Sequence, residues 1–194
     1  MIKKTLKQKS YQFIILFGIV SMFGDITYEG GRSITGPYLA LLGVSATMVG
    51  FIGGLGEFVG YAFRLVSGYF ADKTKAYWPI TFIGYGLLIS MPLLALTNNW
   101  KVAAAFIILE RFGKAVRTPA KDTMLSHATK SVGRGFGFAY GIFNTAYGAS
   151  WFAGSLLMGF LYDTNISYIL WFVMIMEAIA VLTFWGFHKK LQLN

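Results

Sequence analysis

Apolar runs of membrane-spanning length, separated by gaps of 3 to 14 residues, most restrict what this chain can fold into. A helix needs ~20 predominantly apolar residues to cross the hydrocarbon core, and segments near 11–34, 46–70, 77–97, 101–119, 134–161 and 166–187 meet that need. Lipid offers the backbone no hydrogen-bond partner, so such segments must be helical. The chain therefore reads as an all-α integral membrane protein, one six-helix transmembrane domain over residues 1–194. Its 13% charged residues and mean hydropathy of +0.58 lie well to the apolar side of a soluble domain, which carries about 25% charge. The fourth segment is the least apolar, because only Val102–Leu109 is uninterrupted before "ERFGKAVR" begins.

The net charge of +9 does not point to nucleic acid, since the basic residues sit in gaps between apolar runs rather than on one solvated face. They report orientation instead. Of the 17 Lys and Arg, eleven fall on one side of the six spans: Lys3, Lys4, Lys7, Lys9, Lys73, Lys75, Lys121, Lys130, Arg134, Lys189 and Lys190. Four (Arg64, Arg111, Lys114, Arg117) lie within spans, and only Arg32 and Lys101 reach the other side. The positive-inside rule then places both termini in the cytoplasm and the chain in the cell inner (plasma) membrane. "MIKKTLKQKS" precedes a long apolar stretch without a small-residue cleavage pattern, and reads as the lead into a retained first helix.

The 23 glycines against 4 prolines suit close helix packing in lipid, with pairs at Gly50/Gly54, Gly56/Gly60 and Gly137/Gly141. Trp78, Trp100 and Trp171, with Tyr11, Tyr77, Tyr162 and Tyr168, fall near span ends, where amphipathic rings contact lipid headgroups. There is no Cys, and His127 and His188 stand apart from any carboxylate cluster, so no metal or other cofactor is expected. The chain also lacks a phosphate-binding glycine loop, a nucleophile elbow and an HExxH pattern. Enzymatic function is therefore not expected.

Charges inside the spans carry the functional signal. A charged side chain at the bilayer centre costs about 2.5–3.5 kcal/mol on insertion scales and faces a bundle interior or wet cavity. Asp25, Glu29 and Arg32 form one stripe in the first span, and Glu57, Tyr61 and Arg64 a second stripe in the next. Glu110 and Arg111 lie too deep in the fourth span to reach water, whereas Lys114, Arg117 and Lys121 have the length to snorkel inward. Tyr140, Asn144, Tyr147 and Trp151 make a polar-aromatic face on the fifth span. Packing alone needs none of these, so stripes on four helices indicate a site. Glu177 stands in the sixth span without a polar companion.

"GYFADKTK", Gly68 to Lys75, resembles the loop between helices 2 and 3 of the major facilitator superfamily, with Gly68, Asp72 and Lys73 matching; Lys75, Tyr77 and Trp78 depart from its later positions. "ILERFGKAVRTPAKD" is similar to the fourth helix of bacterial members, with Arg111 and Gly113 at the positions tied to proton coupling. The resemblance implies a secondary transporter of a small solute, with Asp72 paired to Arg117 as a conformational latch and spans 1, 2, 4 and 5 lining the path. Among the charges inside the spans, Asp25, Glu57 and Glu110 are the candidates for proton coupling, with Arg64 and Arg111 as their electrostatic partners or as anion-binding groups. Superfamily members have twelve spans in two halves, so a six-span chain is expected to work as a parallel homodimer of half-transporters. Tyr140–Asp163 looks more like the penultimate helix of a twelve-span member, so a fusion of helices 1–4 with the last two is also consistent with the pattern. The alternative class is a non-transporting membrane subunit or assembly partner.

The asymmetry of basic residues predicts a single orientation. In a chain without Cys, one introduced at position 75 should react with an impermeant maleimide only from the cytoplasmic side, and one at position 99 only from the opposite side. Equal labelling of both positions from both sides would contradict it.

Overall fold

The computed structural model describes residues 2–132 and 136–190, all of whose regular structure is helical. Helices α1 (Ile2–Leu41) and α2 (Ala46–Thr74) are followed by α3 (Tyr77–Gly86), a 3-10 turn (Leu87–Ile89) and α4 (Ser90–Leu94). The chain continues through α5 (Trp100–Val132), α6 (Phe136–Thr164) and α7 (Ile166–Lys190). Four stretches are long and apolar enough to cross a membrane: Ser10–Leu41, Ala46–Thr74, Tyr77–Leu94 and Ile166–Thr183. Helices α5 and α6 have 33 and 29 residues but are not among these four stretches. Arg134, counted among the inner basic residues, lies outside the described residues, as does the start of the expected fifth span.

Helices overrun the expected spans because hydropathy marks only the apolar part of a helix. Thus α5 continues to Val132 through a polar segment. The third span, expected to be continuous, is broken at Leu87–Ile89. Pro92 supplies the reason: it has no N–H for the Leu88 carbonyl and its ring crowds that group, which favours the tighter turn. Pro119 frees the Ala115 carbonyl inside α5 in the same way, and there Ser67 Oγ of α2 donates to it at 2.7 Å.

The bundle is organised in two tightly crossed pairs, α1 with α6 and α2 with α5, and α3 also packs along α5. Small residues allow these crossings. A Cβ on Gly154 would lie 2.5 Å from the Ile26 carbonyl oxygen, and one on Gly84 would lie 2.8 Å from the Gly113 oxygen. Gly56 and Gly60 pack on Arg111, whereas Gly50, Gly54, Gly137 and Gly141 meet nothing within 4 Å. Of the three glycine pairs read from the sequence, one therefore serves packing within the chain.

Apolar clusters close the bundle at both ends. Tyr38, Leu39, Ile52, Leu94 and Ile107 form one, where the Tyr38 hydroxyl donates to the Leu94 and Thr97 carbonyls. Phe13, Phe17 and Met124, with Trp78, form the one at the opposite end. The buried charges occupy the level between them.

Filling the α1–α6 contact should test this packing. Gly154→Val is expected to lower thermal stability in mild detergent by about 1–3 kcal/mol through overpacking. Gly159→Ala, on the same helix with nothing within 4 Å of its Cβ, should be neutral or stabilise by up to about 1 kcal/mol. Equal losses at both positions would contradict the crossing.

Candidate functional site

Two faces of α5 organise the charges. Arg111, Ala115 and Pro119, at four-residue spacing, share the side against α2, where Gly56, Gly60, Ser67 and Gly68 receive them. Glu110, Lys114 and Arg117 lie on another side, turned toward α1 and α3. Because α1 and α5 are antiparallel, the acids of α1 meet the bases of α5 in reverse order. Asp25 Oδ1 lies 3.6 Å from Arg117 Nη2, and Glu29 Oε1 lies 3.0 Å from Lys114 Nζ. Arg32 extends the series to Glu57 at 3.3 Å, and Glu57 in turn lies 3.3 Å from Arg111 Nε.

Glu29 is fully buried and central to the set. It accepts hydrogen bonds from Lys114 Nζ and from the Tyr147 hydroxyl of α6, and Arg32 Nη1 lies 3.9 Å from its second oxygen. Three helices are thus joined at one carboxylate. Tyr28 lies beneath the cations: its ring centre is 3.7 Å from Lys114 Nζ, 5.0 Å from the Arg111 guanidinium and 5.7 Å from that of Arg117. Tyr85 of α3 receives Arg117 at 4.8 Å. Such cation–π contacts are worth about 2 kcal/mol when desolvated.

Several expected pairings are corrected here. Glu57 and Arg64 share a helix face but do not pair: Glu57 turns to Arg111 and Arg32, while Arg64 lies 4.4 Å over the Tyr61 ring. The spacing showed their common face but not that α5 brings a nearer cation. Arg117 does not pair with Asp72, which is exposed near the C-terminal end of α2. Two residues from Ala115 and from Pro119, Arg117 points about 200° away from the α2 contact and is 1% exposed against Asp25. Lys114 does not snorkel, because Glu29 and Tyr28 hold it within the bundle. Gly68, matched to the superfamily loop, faces Pro119: a Cβ added there would lie 3.4 Å from Pro119 Cβ.

A cleft of about 230 Å³ opens beside this network, walled by α1, α2, α5 and α6. Of the residues singled out from sequence, Asp25, Tyr61, Arg64, Tyr140, Asn144, Tyr147 and Arg117 line it. Lys114, Thr118, Lys121 and Asp122 also line it, and sequence reasoning had given them no place in a site. Glu29, Arg32, Glu57, Glu110 and Arg111 lie in the ion-pair network instead, and Trp151 stands next to Tyr147 at 6.4 Å between ring centres. From Lys114 to Leu125 the cleft follows α5 for about 16 Å toward the basic end of the bundle. Glu177, on α7, has a buried Oε1 with no hydrogen-bond partner among the described residues, and lies within electrostatic reach of Arg117 and Glu110.

A helical bundle with several stretches long and apolar enough to cross a membrane, a buried charge layer and a polar cleft among four helices defines a multi-pass membrane protein. Residues 13–191 match the model of the Major Facilitator Superfamily, and the chain belongs to that family. It is 49% identical over 131 residues to uncharacterised proteins of Mycobacterium tuberculosis and Mycobacterium bovis, covering 67% of this chain and 32% of each relative. It is 33% identical over 127 residues to an uncharacterised MFS-type transporter of Methanocaldococcus jannaschii, covering 64% of this chain and 32% of that protein. The chain thus spans about a third of the length of these relatives. No solved structure matches it.

The Glu29–Lys114 contact gives a direct test of the network. Lys114→Met should destabilise the protein by about 3–5 kcal/mol, because it strips a fully buried carboxylate of its ammonium partner. Adding Glu29→Gln should recover most of that loss. Melting curves of the two variants in mild detergent check this, and a harmless Lys114→Met change would contradict the pairing.

Proposed function

We propose that the chain is the half-size unit of a secondary active transporter that moves a small solute by alternating access. The observation that carries this reading is the polar cleft among α1, α2, α5 and α6 in an otherwise apolar bundle. Tyr61 and Tyr140, which line it, are 62% and 44% exposed, leaving this side ready to face a second unit.

In this reading all six helical segments cross the membrane, with both termini cytoplasmic. The second unit is another copy, related by an axis along the membrane normal so that two clefts enclose one path. Rocking of the two copies exposes the path alternately to each side. Ion pairs that bridge helices suit such a motion, because they have definite alternative partners once the helices shift. Asp72, exposed at the inner end of α2, is free to take a cation of the neighbouring unit in one of the two states.

Proton coupling is assigned to Asp25, the one intramembrane acid of the first span that lines the cleft. Its pairing with Arg117 provides the link: protonation of Asp25 releases Arg117 and weakens the α1–α5 contact. Native mass spectrometry in mild detergent should find two copies per particle. Proteoliposomes loaded with a pH dye and challenged with a panel of organic anions, cations and sugars should show solute-driven proton movement, lost in Asp25→Asn. Monomeric particles with no flux until a second polypeptide is supplied would instead support a non-transporting subunit.

A further inference from the structure

The charges of the cleft are unevenly matched. Arg117 is paired with Asp25, and Lys114 with Glu29, so these two cations are locally neutralised. Arg64 and Lys121 line the same space with no carboxylate within 4 Å among the described residues, and Asp122 is the one acid left to face them. Among the described residues, α6 lines the cleft with Tyr140, Asn144, Ala146 and Tyr147, none of them charged. Two unpaired cations against one acid favour an occupant with a single negative charge over a cation or a neutral molecule.

The state of Arg64 sharpens the point. Its Nε is buried and has no hydrogen-bond partner among the described residues, an arrangement that costs free energy until an acceptor arrives. Stacking on Tyr61 at 4.4 Å fixes the guanidinium plane. A fixed guanidinium presents parallel donors to the oxygens of a carboxylate, sulfonate or phosphate group. The volume of about 230 Å³ lies below the roughly 300–1,000 Å³ of sites for drug-sized ligands, and the tyrosines offer faces to a ring.

We propose that the cleft binds a small organic anion, its oxyanion group held by Arg64 and Lys121 and its body lying against the tyrosines. This rests on reading the cleft as the substrate site. Permanent charges make clean probes, so p-toluenesulfonate is compared with benzyltrimethylammonium by calorimetry on the full chain in mild detergent. The sulfonate should bind and the ammonium should not. Arg64→Gln should weaken sulfonate binding by about tenfold or more, Arg64→Lys by less, and Phe58→Ala, at an exposed apolar position of α2, should leave it unchanged. Should Arg64→Gln fail to fold, Lys121→Gln is expected to show the same loss.

Tighter binding of the ammonium, absence of sulfonate binding, or equal sulfonate binding in Arg64→Gln and Lys121→Gln would overturn the proposal. A lipid headgroup carries the same oxyanion chemistry, so binding is repeated in nanodiscs of phosphatidylcholine with and without phosphatidylglycerol. Competition by phosphatidylglycerol would support the anion site and assign its occupant to the membrane. Sulfonate binding without flux in proteoliposomes would leave the anion site standing and remove the transport reading. Ammonium flux indifferent to the sulfonate would do the opposite.

Discussion

The antiparallel ladder of ion pairs between α1 and α5 is the constraint on which the rest of this bundle depends. Charges at this depth are tolerated only when paired or wetted, and here Asp25 with Arg117 and Glu29 with Lys114 satisfy one another across the two helices. The ladder joins α1 to α5 in the observed register, where each carboxylate meets its cation. Tyr147 brings α6 to the same point through Glu29, and Glu57 with Arg111 brings α2. The four helices that meet in this network are the four that wall the cleft.

Apolar packing alone would hold the two ends of the bundle, where the Tyr38–Leu39 and Phe13–Phe17 clusters lie. It would not position a cleft between them. Replacing such ion pairs with apolar residues of similar volume is often neutral or stabilising, so stability alone does not require several of them at one level. Glycine permits the close crossings of the bundle: Gly154 against Ile26 and Gly84 against Gly113 bring backbones together.

The helical membrane class was legible because hydrophobic length is a one-dimensional property. The stripes Asp25–Glu29–Arg32 and Glu57–Tyr61–Arg64 were legible as faces because 3.6-residue periodicity is local. Their partners were not. Glu57 and Arg64 invited pairing by sharing a face, yet Arg111 arrives from α5 and takes Glu57. Lys114 looked free to snorkel because nothing near it in sequence holds it, whereas Glu29 is 85 residues away. One signal was available: two acids four residues apart on α1 match two bases three residues apart on α5, the spacing of an antiparallel pair. The break at Leu87–Ile89 was also readable, from Pro92.

The central claim is that the side of α6 bearing Asn144 faces a water-filled cleft while the side bearing Leu156, 63% exposed, faces lipid. Rates of modification by a water-soluble maleimide test it most directly, with single Cys residues at 144 and at 156 in proteoliposomes. The cleft predicts rapid modification at 144, slowed when a bound solute occupies the site, and little or none at 156. Equal rates at the two positions, or modification of 144 only by a lipid-soluble reagent, would contradict it.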